Sequence, residues 1–221
     1  MRAGNTHAKQ SMRIHTPSGI LLPMYYILGL GNPGDEYTHT RHNVGTLALD
    51  AIHDAGEFSE WRCDKLKKTC VAKGELAGEK ATLIFPTTMM NRSGTVLKDL
   101  ITSEKKAEQL IVLYDDIDRP FGSVKLAFDR GTGGHKGLDS IVRSIKTKKF
   151  LRVRIGVTPT TPSGKLKKPQ GETAVVDFLL GEFKKRELEQ LEDTFTTTTA
   201  AVTSVLTEGR AAAMNRFNTG S

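Results

Sequence analysis

The sequence predicts an α/β fold: a single domain with a twisted mixed, mostly parallel sheet flanked by helices. Three observations lead there. Short apolar runs at Tyr25–Leu28, Leu110–Tyr114 and Leu151–Val157 have strand length, and each gives way to a glycine or a polar residue. Stretches with helical spacing lie between them, and strands alternating with helices are the pattern of sheets built largely from parallel strands. An internal pair of strands separated by glycines makes the sheet mixed. At 221 residues the chain can bury one good-sized core, and nothing in its length demands two domains.

Residues 1–22 precede this pattern and carry Arg2, Lys9, Arg13 and two histidines but no acid. They read as a flexible or targeting N-terminal extension, or as leader ahead of a functional start at Met24, with 23–221 as the folded domain. Tyr25–Leu28 opens the domain as a buried strand running into Gly29-Leu30-Gly31-Asn32-Pro33-Gly34. Asn43 can cap a helix carrying Leu47, Leu49, Ala51 and Ile52 that ends near Gly56. After a polar stretch with Trp61, Thr69–Ala72 and Ala81–Phe85 form a hairpin across a segment with Gly74 and Gly78, which Pro86 ends. The loop Pro86–Gly94 opens into a helix through Val96, Leu97, Leu100 and Ile101. Leu110–Tyr114 is a strand ending at Asp115-Asp116-Ile117-Asp118-Arg119-Pro120, and Val124–Phe128 is another. The glycine-rich turn Gly131–Gly137 leads into a helix over Leu138–Ile145. Leu151–Val157 alternates as a strand, and Thr158–Thr173, with three prolines and Lys165, Lys167 and Lys168, reads as a surface loop. Lys184–Leu206 is helical and ends in a polar tip.

The net charge of +7 leans towards a polyanionic partner. Its distribution strengthens that reading, because Ile141–Gln170 holds nine Lys or Arg and no Asp or Glu. Cys63 and Cys70, seven positions apart, match neither a redox pair nor a zinc cluster, so a reducing intracellular setting is expected. No apolar run approaches the roughly 18 residues that cross a bilayer.

Gly29-x-Gly31-x-x-Gly34 after a strand formally matches a dinucleotide fingerprint. In a dinucleotide site, however, the glycines open directly into a helix, whereas here a polar loop delays the helix to about Asn43. Asp115, Asp116 and Asp118 at a strand end are compatible with magnesium but far from diagnostic. His42 suggests a different chemistry. An imidazole can take a proton from water when a carboxylate fixes its tautomer, and Asp115 at the end of a separate strand is a suitable partner. A histidine beside an arginine also has a purely structural reading.

Four blocks decide between these. They are Gly29–Gly34 with Tyr37 and Thr40-Arg41-His42-Asn43; Pro86-Thr87-Thr88-Met89-Met90-Asn91-Arg92-Ser93-Gly94; Asp115-Asp116-Ile117-Asp118-Arg119-Pro120-Phe121-Gly122; and Gly133-Gly134-His135-Lys136-Gly137-Leu138. Leu151-Arg152-Val153-Arg154-Ile155-Gly156-Val157 continues the series. In order and spacing these residues resemble the bacterial-type peptidyl-tRNA hydrolases over roughly Tyr25 to Phe217.

The resemblance implies a catalytic domain that hydrolyses the ester between a peptide and the terminal ribose of tRNA, with no cofactor and no metal. Carried over by motif, His42 deprotonates the attacking water and Asp115 holds and stabilises it. Asn91 bonds near the reacting carbonyl, Asn32 holds the peptide part, and Met89 borders the substrate channel. Tyr37 meets the terminal nucleotide, and Lys136 and Arg154 belong to the substrate and tRNA contacts. Arg143, Lys146, Lys148 and Lys149 meet tRNA phosphates without reading base sequence. The implied partner is peptidyl-tRNA, through its acceptor end and phosphate backbone. A cytoplasmic monomer is expected, or an organellar one if residues 1–22 direct it there. Two positions depart from the family pattern: Lys136 stands where asparagine is usual, and Tyr114 where histidine is common. A lysine donates but cannot accept, so it reproduces only half of an amide's bonding. That departure keeps a second reading open, an RNA-binding family member with weak catalysis.

Overall fold

The structure, a computed structural model, describes residues 24–219; the extension over residues 1–22 lies outside them. Strand β1 (Tyr25–Gly29) is followed by helix α1 (Val44–Ala55), short strands β2 (Glu57–Phe58) and β3 (Arg62–Asp64), and the hairpin β4 (Thr69–Leu76) and β5 (Glu79–Pro86). A 3-10 segment over Met90–Leu97, the one-turn helix α2 (Glu104–Ala107), and strands β6 (Leu110–Pro120) and β7 (Val124–Phe128) come next. Helix α3 (Lys136–Ile145), strand β8 (Leu151–Thr158) and helices α4 (Glu172–Leu180), α5 (Lys185–Glu208) and α6 (Arg210–Asn218) complete the chain.

The strands form one sheet in the order β2-β4-β5-β1-β6-β8-β7, with β3 also paired to β4. The mixed sheet is as expected, but its balance is not mostly parallel. Three pairs are parallel (β1 with β5 and β6, β6 with β8) and four are antiparallel. The parallel strands are the central ones, covered on both faces and therefore apolar throughout; β8 is buried along nearly its whole length and does not alternate. One core packs Ile27, Ile111 and Val153 against Val44, Leu49 and Ile52 of α1 and Leu191, Val202 and Val205 of α5. The other packs Leu28, Val112 and Tyr114 against Leu97, Leu138 and Ile141.

Several boundaries differ from expectation for physical reasons. The hairpin strands are longer because Ala77 and Gly78, both at positive φ (52° and 81°), turn the chain in two residues. The helix expected through Leu100 and Ile101 is a tight 3-10 segment ending at Leu97, and α2, α4 and α6 carried no clear sequence signal. Cys63 and Cys70 face each other in antiparallel register, with Cα atoms 3.9 Å apart, and form a disulfide, a pairing that the expected reducing setting does not anticipate. The exposed edge of β7 is closed by the Asn218 side chain, which accepts from the Leu126 N–H and donates to its carbonyl, both at 3.0 Å.

Glycines Gly29, Gly31 and Gly45 bring α1 against the end of β1. A Cβ on Gly29 would lie 2.6 Å from the Gly45 oxygen, and one on Gly45 would lie 2.4 Å from the Leu113 oxygen. The glycine run therefore serves a close approach of backbone to backbone rather than a phosphate. It places the residues just before α1 at the carboxyl ends of β1 and β6, where open α/β sheets hold their ligands.

Candidate active site

Asp115 sits near the middle of β6 with its side chain 1% exposed, and one of its oxygens receives two imidazoles. His42 Nδ1 lies 2.8 Å from Asp115 Oδ1, and His135 Nε2 lies 3.0 Å from the same oxygen. Hydrogen bonds fix the protons. His135 caps α3, where its Nδ1 accepts from the Gly137 and Leu138 N–H groups at 3.1 and 3.3 Å, so its hydrogen is on Nε2 and points at Asp115. The carboxylate accepts from His42 Nδ1 in the same way. His42 Nε2 is then the free lone pair, with no partner among the described residues, on a ring that lines the cavity.

The electrostatics follow from this pairing. Burial pulls His42 down, but the Asp115 charge and hydrogen bond outweigh it and leave the imidazole raised above the usual histidine value, with Lys136 pulling the other way. Burial would raise Asp115, yet the two histidines hold its carboxyl far below the usual carboxylate range. Tyr114, edge-on to the His135 ring at a centroid distance of 5.1 Å, is pushed up to about 12, first by burial and then by Asp116. It is a neutral wall of the site.

The expected amides assemble around the histidine. Asn32 is 4% exposed, and its side-chain Oδ1 accepts from the Met90 N–H at 2.8 Å. Asn43 makes no cap for α1. Its side chain instead accepts from the Asn32 N–H at 2.8 Å and donates to the Asn32 carbonyl at 2.9 Å. With its backbone clamped and its oxygen used, Asn32 presents only its NH₂ to the cavity. Asn91 also lines the cavity, is exposed, and has no side-chain partner among the described residues. Met89, 47% exposed, forms the rim, whereas Met90 is core.

The cavity, about 580 Å³, extends from Asn32, His42 and Met89 to Arg130, Arg152 and Arg154. Its far wall is α4, through Val175, Val176, Leu179 and Leu180. Arg41 holds that wall in register with His42. Its guanidinium donates to the Gly181 and Glu182 carbonyls at 3.1 and 3.0 Å and to the Glu187 carboxylate, and it lies over the Phe178 and Phe183 rings.

Other expected residues fall elsewhere. Tyr37 is half-buried in a 3-10 turn and does not line the cavity. Lys136 does line it, at the first turn of α3, with Nζ 3.6 Å from Glu172 of α4. Arg154 lines it too but is bound to Asp116. Arg143, Lys146 and Lys148 are exposed beyond the cavity at the end of α3, and Lys149 is paired with Glu104 at 2.7 Å. The three acids do not converge on an ion: Asp115 binds the histidines, Asp116 binds Arg154 and Asp118 binds Lys168. Among the described residues the set closest to a metal site is His42, Asp115 and His135, whose facing atoms lie within 4.8 Å of one another, but hydrogen bonds already join them. Three residues were not singled out from the sequence, His135, Arg41 and Arg152, and Asn43 was expected only as a helix cap. His135 could have been found from its place one residue before an amphipathic helix, where a side-chain acceptor is needed.

A family model described as peptidyl-tRNA hydrolase matches residues 26–221. The peptidyl-tRNA hydrolase of Syntrophotalea carbinolica is 37% identical over 200 residues, covering 88% of this chain and 97% of its own. That of Alkaliphilus oremlandii is also 37% identical, over 198 residues, covering 88% of this chain and 100% of its own. The crystal structure of peptidyl-tRNA hydrolase from Acinetobacter baumannii superposes with a TM-score of 0.77 at 28% identity, covering 91% of this chain and 98% of that one. The chain belongs to the peptidyl-tRNA hydrolase family.

Proposed function

We propose that this protein hydrolyses the ester joining a peptide to the terminal ribose of tRNA, with His42 as general base. The observation that carries this reading is the shared carboxylate. Asp115 fixes the His42 tautomer from one side and is itself fixed by His135 from the other, leaving His42 Nε2 facing the cavity. A water bound there gives a proton to Nε2 as its oxygen adds to the ester carbonyl. When the tetrahedral species collapses, the ribose oxygen leaves and takes that proton back, so peptide acid and tRNA hydroxyl are the products. Asp115 stabilises the transient imidazolium without taking its proton.

The NH₂ groups of Asn32 and Asn91 are the donors available to substrate oxygens. The apolar face of α4 suits peptide side chains, and Arg154 with the exposed Arg130 at the other end suits phosphate. Tyr37, Arg143, Lys146 and Lys148 belong to the tRNA contact outside the cavity. All catalytic groups come from one chain, which suits a monomer. An RNA-binding role without catalysis does not need an oriented histidine with a free nitrogen, so the dyad favours the enzyme. The test is release of N-acetyl-aminoacyl groups from tRNA with EDTA present, compared with unblocked aminoacyl-tRNA. Cleavage of only the blocked substrate supports the proposal, and cleavage of neither overturns it.

A further inference from the structure

The turn between β3 and β4 concentrates charge that the proposed reaction does not use. Arg62, Lys65, Lys67 and Lys68 are all exposed there, and none pairs with a carboxylate among the described residues. Asp64, the acid within the turn, spends one oxygen on the Leu66 and Lys67 N–H groups at 2.9 and 3.0 Å. The turn is held on three sides. Cys63 and Cys70 close its base, Lys68 adopts a left-handed φ of 52°, and the Lys68 carbonyl accepts from the Thr87 N–H at 2.9 Å. Thr87 begins the loop that carries Met89 and Asn91 into the cavity, and the same loop is tied to Asn32 through Met90. Exposed Lys65, Lys67 and Lys68, with Arg62 on β3 beside them in sequence, therefore sit on a braced turn bonded to the loop that enters the candidate active site, outside the residues that line it.

The geometry points to this turn as a second phosphate-binding surface, which takes the sugar–phosphate backbone of the RNA whose end occupies the cavity. The inference rests on the proposed substrate. Four strand spacings separate β4 from β8, roughly 19 Å, with β1, which leads to Asn32, and β6, which carries Asp115, between them, so the turn and Arg154 of β8 lie on opposite sides of the site. One nucleotide does not bridge that span; several consecutive nucleotides do. Exposed lysines on a rigid turn give affinity without sequence readout and lose it with salt.

The test replaces Lys65, Lys67 and Lys68 by Gln together, which removes the charges, keeps polar flexible side chains and leaves the turn's backbone bonds in place. Binding of labelled deacylated tRNA is followed by anisotropy at several salt concentrations, beside hydrolysis of N-acetyl-aminoacyl-tRNA. Each lost phosphate contact flattens the log–log salt slope by about 0.7 to 0.9, so the triple variant loses about 2 to 3. KM rises about tenfold or more, while kcat stays within about twofold, because the charges removed act on phosphate binding and lie outside the dyad. Lys80→Gln, at the far end of β5, leaves the slope unchanged. An unaltered slope and KM in the triple variant of an active enzyme overturns this inference alone. An inactive wild type whose tRNA binding still flattens in the variant overturns the proposed reaction and leaves the surface standing.

Discussion

Burial of His42 opposes its protonation, and the Asp115 charge with its hydrogen bond overcomes that opposition, so the imidazole titrates above the ordinary histidine value. A general base works in its neutral form. Activity is therefore lost as pH falls through the raised His42 value, and the acid limb of kcat/KM is expected above the usual histidine midpoint. Asp115→Asn removes the two contributions that raise it. The limb should move to lower pH while kcat falls by about 10² to 10⁴-fold, read from a pH–rate profile; an unmoved limb would mean that Asp115 does not act through His42. Lys136→Gln works in the opposite direction. Its charge holds His42 down, so its removal should shift the limb to higher pH, and a profile superposing on wild type would show that the lysine does not sense the base. His42 and Asp115 were legible in the sequence because their motifs carry them. His135 was not singled out, since its role arises only when a helix cap meets a mid-strand carboxylate, Asp115 lying within β6 rather than at the strand end that the sequence suggested.

At the level of elements, the site depends on α1 and α4 being held close to the sheet. Gly45→Ala would set a Cβ 2.4 Å from the Leu113 oxygen and 2.7 Å from the Leu30 oxygen, both backbone atoms that cannot swing away. A loss of about 1–3 kcal/mol is expected in denaturant unfolding, as for other overpacked cores. Retention of full stability would show that α1 can lift from β1 at no cost. Arg41 anchors the other wall. Arg41→Met takes the side-chain donor from the Glu182 and Gly181 carbonyls and from Glu187, leaving Gly181 only the Arg41 N–H and Glu187 only the Lys184 N–H, and α4 amides should exchange hydrogen faster while those of β6 keep their protection. Equal exchange in α4 would mean that the arginine does not secure it. The central strands were readable because their apolar runs are short and bounded. Helix α4 was not, because it buries no residue fully: Val175, Val176, Leu179 and Leu180 line the cavity, and only Phe178 and Leu179 reach the core edge. Asn43 misled for a related reason, since a residue of capping type stood at a helix start but its amide was used to clamp Asn32.

For the molecule as a whole, the charge of +7 divides into parts that the chain order conceals. The basic run from Arg143 to Arg154 reads as one patch in sequence, yet it separates in space. Arg152 is buried against Phe150, Arg154 is bound to Asp116, Lys149 is paired with Glu104, and Arg143, Lys146 and Lys148 face solvent. A strand that passes from helix end to cavity wall distributes its residues among these roles, which composition cannot show. Among the described residues no helix is long and apolar enough to cross a membrane. The family and the α/β plan were legible because motifs and strand spacing are local. The sheet's balance of directions and the Cys63–Cys70 pairing were not, because both depend on strand register. The account turns on His42 acting on water rather than merely completing a buried network. Single-turnover hydrolysis of N-acetyl-aminoacyl-tRNA by saturating His42→Ala protein, with tRNA affinity measured on the same preparation, tests this most directly. The rate should fall by about 10² to 10⁴-fold with affinity within about twofold of wild type; wild-type turnover in that variant would contradict the account.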